Sequence, residues 1–230
     1  MKILLLASKP KPAVPIENDN VVFVNGSIYY SKEFTCNIYH VFGDSIFYWN
    51  SDLALITKEN LKNKHVIKSW VIKYRNVDIV KLLNEVNYKY DEVEYLRYDE
   101  KENLTWEILG KSFINNVLWC KGFALREKSK YIFYDLFRRK IIKLSTGLFA
   151  LLLLRQRFPE AEICVSGIGF GNDVYAWHKG TNRRRGHLIN DYCGFMTLKQ
   201  KGMLNNVITT EFELHKLFDI PMYKGPTKIL

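Results

Sequence analysis

Residues 145–168 read STGLFALLLLRQRFPEAEICVSGI, and this stretch decides the fold class. Ser145 or Thr146 can cap a helix over residues 148–157, which is apolar nearly all round and is therefore expected to be buried between layers. Residues 162–168 follow as a short apolar run typical of a buried strand. A buried helix that leads into a buried strand predicts an α/β domain with a largely parallel central sheet between helices.

The rest of the chain carries the same alternation of short strands and helices. It shows no internal repeat or linker, so 230 residues predict a single domain over 1–230. Apolar patterning predicts strands over 3–7, 20–23, 39–41, 46–48, 53–56 and 65–74. The same patterning predicts helices over 77–87 and 103–113, with charged residues between them.

Composition limits the classes of function. Lys and Arg number 34 against 24 Asp and Glu, a net charge of +10, which suits nucleic acid, anionic lipid or an anionic small substrate. The four cysteines show no CxxC and no metal spacing, which is typical of a reducing cytoplasm. The apolar run at residues 3–7 is too short for a signal peptide, and no run reaches the ~18 residues of a membrane span. We therefore expect a cytoplasmic protein, free or peripheral on the inner membrane.

Two stretches are candidate ligand sites. At Ser145-Thr146-Gly147, free helix N–H groups favour an anion and glycine allows its close approach, although an ordinary N-cap fits the same residues. Residues 183–187, Arg-Arg-Arg-Gly-His, could place a base beside an anionic ligand, with Asp191 one turn later to orient the imidazole. The alternative there is a solvated basic loop before a capped helix.

Between these stretches, residues 167–172 nearly match a dinucleotide fingerprint, but no helical periodicity follows them. A loop over the site is the better interpretation, and we predict a mobile lid over about 171–186 that contains Tyr175 and Trp177. There is no HExxH motif, no Cys/His cluster and no Asp-x-Asp motif, so no metal site is predicted.

The order of these pieces is specific. In the order of these motifs the chain resembles the bacterial sialyltransferases of glycosyltransferase family 42. The motifs are Ser8 near a strand end, Val24-Asn25-Gly26, Ser145-Thr146-Gly147, Ser166-Gly167-Ile168 with Phe170, and Gly186-His187. The resemblance is close over residues 143–191, and near the N-terminus it is a similarity of pattern. It implies a sialyltransferase-type nucleotide-binding domain, a GT-A-like variant. It also implies inverting transfer of sialic acid or a related nonulosonic acid from a CMP-activated donor to a cell-surface glycan, lipooligosaccharide or capsule, without metal or cofactor.

The resemblance also assigns roles. His187 would be the general base on the acceptor hydroxyl, and Tyr175 would bind the departing phosphate. The donor would be bound by Ser8, Asn25, Gly26, Lys143, Ser145, Thr146, Gly147, Ser166, Gly167, Arg183 and Arg185. Four positions depart from the family pattern: Gly169 replaces an aspartate, Gly171 a tyrosine and Lys143 an arginine, and Ser8 lies where the family has an asparagine-containing, glycine-rich turn. These departures leave a CMP-Kdo donor open.

A basic nucleic-acid-binding protein is the rival from another class. The +10 charge and residues 183–185 favour it, but the basic residues are dispersed and no helix-turn-helix or RNP-like motif is present. The expected partners are thus a CMP-sugar donor, a glycan or glycolipid acceptor and the anionic inner membrane, and not nucleic acid. A homo-oligomer remains open.

Overall fold

The central sheet has seven parallel strands in the computed structural model, which describes residues 1–120, 129, 131, 142–170 and 188–230. Their order across the sheet is β6-β5-β4-β3-β1-β7-β8. The strands are β1 (Lys2–Leu6), β3 (Asn20–Val24), β4 (Asn37–Gly43), β5 (His65–Lys73), β6 (Lys89–Arg97), β7 (Glu162–Ser166) and β8 (Val207–Thr209). A separate antiparallel ribbon pairs β2 (Ala13–Pro15) with β9 (Thr227–Ile229).

Helices connect the parallel strands. They are α1 (Asp52–Leu61), α2 (Ile79–Glu85), α3 (Tyr98–Trp119), α4 (Thr146–Arg157), α5 (Leu188–Gln200) and α6 (Phe212–Phe218), with 3-10 turns at Asn25–Glu33 and Asp44–Phe47. Helix α3 is kinked at Gly110 (φ 50°). In the described part of the chain no helix has the length and apolar character needed to cross a membrane.

Each face of the sheet is covered by helices, because alternate residues of the strands point to opposite sides. On one face Leu5 and Val22 pack with the apolar residues of α3, α4 and α5. On the other face Leu4 and Val21 pack with α1, α2 and the first 3-10 turn. The α/β class and the mostly parallel sheet between helices, as predicted, are therefore confirmed.

Helix α4 packs over β3 and β4, near the middle of the sheet. Residues 147–154 are all buried, as the apolar sequence predicts. Ser145 is the N-cap, and its side chain accepts a hydrogen bond from the Leu148 N–H at 3.2 Å. The strand predicted at 162–168 is β7, which pairs with β1 through Leu4 and Cys164.

Two predictions for the middle of the chain are wrong, and one strand there was not predicted. Residues 46 and 47 lie in a 3-10 turn that Tyr48 caps, and they do not form a strand, because the buried Asp44 carboxylate accepts hydrogen bonds from Tyr74 N–H and Tyr48 Oη. Residues 53–56 lie in α1, which begins where Ser51 caps the Ala54 N–H. The charged residues between the two predicted helices form strand β6. It is an edge strand, whose exposed side can carry charges.

Candidate functional site

A cleft of about 500 Å³ opens at the carboxyl ends of the central strands. The strand order reverses at β1, which has β3 on one side and β7 on the other. In open parallel sheets the connections diverge at such a point and leave a crevice where ligands bind. The cleft is lined there by Ala7 after β1, Asn25 after β3, Gly43 at the end of β4 and Gly167 after β7.

Seven of the predicted donor-binding residues line this one cleft, although they are spread over 160 positions of the sequence. They are Ser8, Asn25, Lys143, Ser145, Thr146, Gly147 and Gly167. The topology explains the convergence, because parallel strands end at one edge of the sheet and α4 begins at the same edge.

The N-terminus of α4 forms one wall of the cleft. Ser145 Oγ accepts from the Leu148 N–H, and the N–H groups of Thr146 and Gly147, in the first turn of the helix, have no intrahelical acceptor. Asp191 on α5 fixes the entry to the helix, since its Oδ1 accepts from the Ser145 N–H at 2.8 Å. This wall can therefore bind an anion through backbone donors and the helix dipole.

Gly167 forms the floor between β1 and β7. Its φ is +74°, and a Cβ at this position would lie 2.6 Å from the backbone oxygen of Ala7. Its N–H donates to Glu211 Oε1 at 2.8 Å, and its carbonyl accepts from the Lys9 N–H at 3.0 Å. Only glycine allows this close approach of the two strand ends, so Gly167 shapes the cleft through its backbone.

The turn after β3 is held by hydrogen bonds on both sides. Asn25 has φ +50°, a conformation that asparagine tolerates better than most residues. Ser27 Oγ accepts from the Val24 N–H at 2.8 Å and donates to the Leu6 carbonyl at 2.7 Å, which ties the turn to β1. Sequence reasoning missed Ser27, although it follows the Val-Asn-Gly motif directly.

The buried side chain of His40 forms a hydrogen bond with the backbone of Asn25. His40 is fully buried on β4, with Nε2 2.8 Å from the Asn25 carbonyl and Nδ1 2.9 Å from Tyr88 Oη, which is itself 2.6 Å from Ser69 Oγ. Burial lowers the pKa of His40 from 6.5 to about 3. The imidazole is therefore neutral, with Nε2–H donating to Asn25 and Nδ1 accepting from Tyr88.

Two predicted donor-binding residues lie beneath the cleft and do not line it. Ser166 is fully buried, and its hydroxyl donates to the Ala13 carbonyl at 2.7 Å. Gly26 is buried, and its carbonyl accepts from Asn60 Nδ2 at 3.1 Å. Both residues stabilise the segments that carry the lining residues. The remaining predicted residues, Tyr175, Arg183, Arg185 and His187, and the predicted lid at 171–186, lie outside the described residues.

Sequence reasoning missed the wall opposite β7. Tyr74 follows β5, and Tyr98 and Lys101 lie on the first turn of α3; all three line the cleft. Lys101 is only 4% exposed, and burial lowers the pKa of its ammonium. Strand order could have placed Tyr74 here, but no sequence signal distinguishes Lys101 from its charged neighbours.

Asp191 was predicted to orient the imidazole of His187. One of its oxygens accepts a hydrogen bond from the Ser145 N–H, which supports the start of α4, and His187 itself lies outside the described residues. It is 8% exposed and also lines the cleft.

Among the described residues, no group of three or more His, Cys, Asp and Glu side chains could hold a metal ion. Comparisons of the chain with protein-family models, with curated proteins and with solved structures give no significant match. The chemistry of the cleft is therefore the basis on which a function can be assigned.

Proposed function

We propose that this chain is an inverting glycosyltransferase that moves sialic acid, or a related nonulosonic acid, from a CMP-activated donor to a hydroxyl group of a cell-surface glycan. In this proposal the domain is of the sialyltransferase type, the reaction needs no metal, and the acceptor is a lipooligosaccharide or capsule chain. The net charge of +10 suits both the anionic donor and an acceptor presented at an anionic membrane.

One observation carries the proposal: seven residues that the family resemblance assigns to donor binding line a single cleft. They come from four separate segments, at Ser8, Asn25, 143–147 and Gly167. The cleft also offers hydrogen-bonding groups that suit a nucleoside monophosphate. The N-terminus of α4 offers backbone donors to phosphate, and the Asn25 side chain offers both a donor and acceptors to a base or ribose.

The mechanism asks the protein to position two substrates and to stabilise charge. His187 takes the proton of the acceptor hydroxyl as its oxygen attacks the anomeric carbon of the donor. The bond from that carbon to the CMP phosphate breaks on the opposite face, and the electron pair leaves with the phosphate. The N–H groups of Thr146 and Gly147, with Tyr175, stabilise the negative charge that develops there, and Lys143 or one of Arg183–Arg185 contributes a positive charge.

A CMP-Kdo donor is the alternative within the same mechanism. Lys143, which lines the cleft, and Gly169, which follows the lining residue Ile168, depart from the sialyltransferase pattern. Sialic acid and Kdo both carry a carboxylate on the anomeric carbon, so the nucleotide half of the site can serve either sugar.

The test is a thermal-shift panel with CMP, UMP, UDP, GDP and NAD in the presence of EDTA. A ligand that binds only the folded state at 100 times its Kd adds about 2.7 kcal/mol of stability. For a chain of this size we expect CMP to raise the melting temperature by about 5 °C or more. Thr146→Val should reduce this shift, because it removes a hydroxyl at the helix start and keeps the shape of the side chain.

Thr210→Val is the matched control. Thr210 Oγ1 is buried without a hydrogen-bond partner among the described residues, and Thr210 does not line the cleft. This variant should keep the full CMP response. A flat response of the unmodified protein to CMP, or a preference for UDP, would contradict the proposal, and the nucleic-acid-binding alternative would then be tested by gel shift at physiological salt.

A further inference from the structure

The cleft contains a buried lysine that the family resemblance does not use. Lys101 is 4% exposed, lies on the first turn of α3 and lines the cleft. Its Nζ lies over three aromatic rings, 5.8 Å from the centroid of Tyr74, 5.9 Å from Tyr98 and 5.4 Å from Phe149. Phe149 belongs to α4, so the ammonium lies beside the helix whose N-terminus forms the neighbouring wall.

Within the described part of the chain, the Lys101 ammonium forms no salt bridge. Its backbone carbonyl accepts a hydrogen bond from Thr105 Oγ1 at 2.8 Å, which does not involve the side chain. Glu102 and Asp191 favour its charged form from a distance, but neither is among the salt bridges of the described residues. One oxygen of each is already engaged, by the Ile142 N–H and the Ser145 N–H respectively.

A buried charge of this kind is costly unless something in the site compensates it. Three aromatic faces offset part of the cost through cation–π attraction. The N–H groups of the ammonium can donate to a ligand in the cleft, where an oxyanion would accept a charge-assisted hydrogen bond. The helix N-terminus and the lysine are thus two independent anion-attracting features of one cavity.

We propose that Lys101 binds an oxyanion of the ligand in this cleft. The inference rests on the proposed function for the identity of that ligand, a CMP-activated sugar acid, whose oxyanions are the phosphate and the sugar carboxylate. Lys101 is then a substrate-binding residue on the wall opposite β7, and the ligand that fits the cleft carries negative charge within reach of both α3 and α4.

The experiment measures the affinities of unmodified protein and Lys101→Met for cytidine, CMP and a CMP-sugar by titration calorimetry. Removing one charge-assisted hydrogen bond should weaken binding of the recognised anion about 10- to 100-fold. Cytidine, which has no anionic group, should bind both proteins equally. A loss shared by CMP and the CMP-sugar assigns the lysine to phosphate, and a loss seen with the CMP-sugar alone assigns it to the carboxylate.

Two further variants separate binding from folding. Lys101→Arg keeps the charge and should recover part of the affinity. Lys68→Met is the matched control, because Lys68 also lies over an aromatic ring, 5.7 Å from Trp70, but forms salt bridges with Glu92 and Glu94 and does not line the cleft. Lys101→Met should melt no lower than the unmodified protein without ligand, because it removes a buried charge that forms no salt bridge among the described residues and keeps an unbranched apolar side chain of similar length.

Equal affinities of Lys101→Met and the unmodified protein for all three ligands would overturn the inference. Failure of the proposed function is recognised separately, by the absence of any CMP binding to the unmodified protein. In that case inorganic phosphate and free N-acetylneuraminate serve as probes. A thermal shift that Lys68→Met keeps and Lys101→Met loses would support the lysine as an anion site, and a shift that both variants keep would reject it.

Discussion

Replacing Gly167 with alanine should lower the free energy of unfolding by about 2–5 kcal/mol and abolish CMP binding. At φ +74° an L-residue is strained, and the added Cβ would lie 2.6 Å from the Ala7 carbonyl oxygen and 2.9 Å from its carbon. Both atoms belong to backbone, so β1 and β7 must separate at the floor of the cleft. Urea unfolding monitored by circular dichroism measures the loss, and calorimetry measures CMP binding.

Gly202→Ala is the matched control for this substitution. Gly202 also has a positive φ, +66°, but the nearest atom to an added Cβ is the side-chain nitrogen of Asn205 at 3.7 Å. Gly202→Ala should lower the free energy of unfolding only by the cost of an L-residue at positive φ, about 1–2 kcal/mol, and should bind CMP normally. Equal losses of stability in the two variants would show that the approach of β1 to β7 is not what requires glycine.

The second prediction concerns the stability of the fold between pH 7 and pH 5. The folded-state pKa of His40 is about 3, below the ordinary 6.5, so the unfolded chain takes up the proton first as the pH falls. The stability that the neutral imidazole contributes is complete above pH 6.5 and is lost progressively as the pH falls toward 3. Between pH 7 and pH 5 this single group should account for a loss of about 2 kcal/mol.

His40→Gln tests this assignment, because its amide can still donate to the Asn25 carbonyl but does not titrate. Its loss of stability between pH 7 and pH 5, measured by urea unfolding, should be about 2 kcal/mol smaller than that of the unmodified protein. His65→Gln is the control for loss of a histidine side chain as such, since His65 is exposed on β5 beside Asp91. If His40→Gln loses as much stability as the unmodified protein, His40 is not the group responsible.

The parts of the fold that the sequence predicted correctly are those whose local pattern and tertiary environment agree. Helix α4 is apolar all round and is buried all round, and strands β1, β3 and β7 are short apolar runs in the middle of a parallel sheet. Such runs have one favourable location, between two layers of helices.

The middle of the chain was less predictable because its pattern is ambiguous. Residues 53–56 are apolar enough for a strand, but the Ser51 cap and the acidic Asp52 in the first turn favour α1. Strand β6 carries charges on an edge, where solvent replaces packing, so its sequence resembles an exposed connection.

For the candidate site, the sequence indicated residues that work through backbone geometry or a helix start. Thr146, Gly147 and Gly167 lie in short motifs whose residue types have a local physical reason. Lys101 and Tyr74 become part of the site only through the packing of α3 and α4 over the sheet. A lysine in the acidic segment 99–102 has no local mark of burial, so the wall it forms could be found only in three dimensions.

The most direct test of the central claim is release of CMP from CMP-N-acetylneuraminate and from CMP-Kdo in EDTA, with glycan acceptors present. We predict that the unmodified protein turns over one of these donors without metal, and that His187→Ala transfers sugar about 10²–10⁴ times more slowly while it still binds CMP. No turnover of either donor by a protein that also fails to bind CMP, or transfer by His187→Ala at the normal rate, would contradict the account.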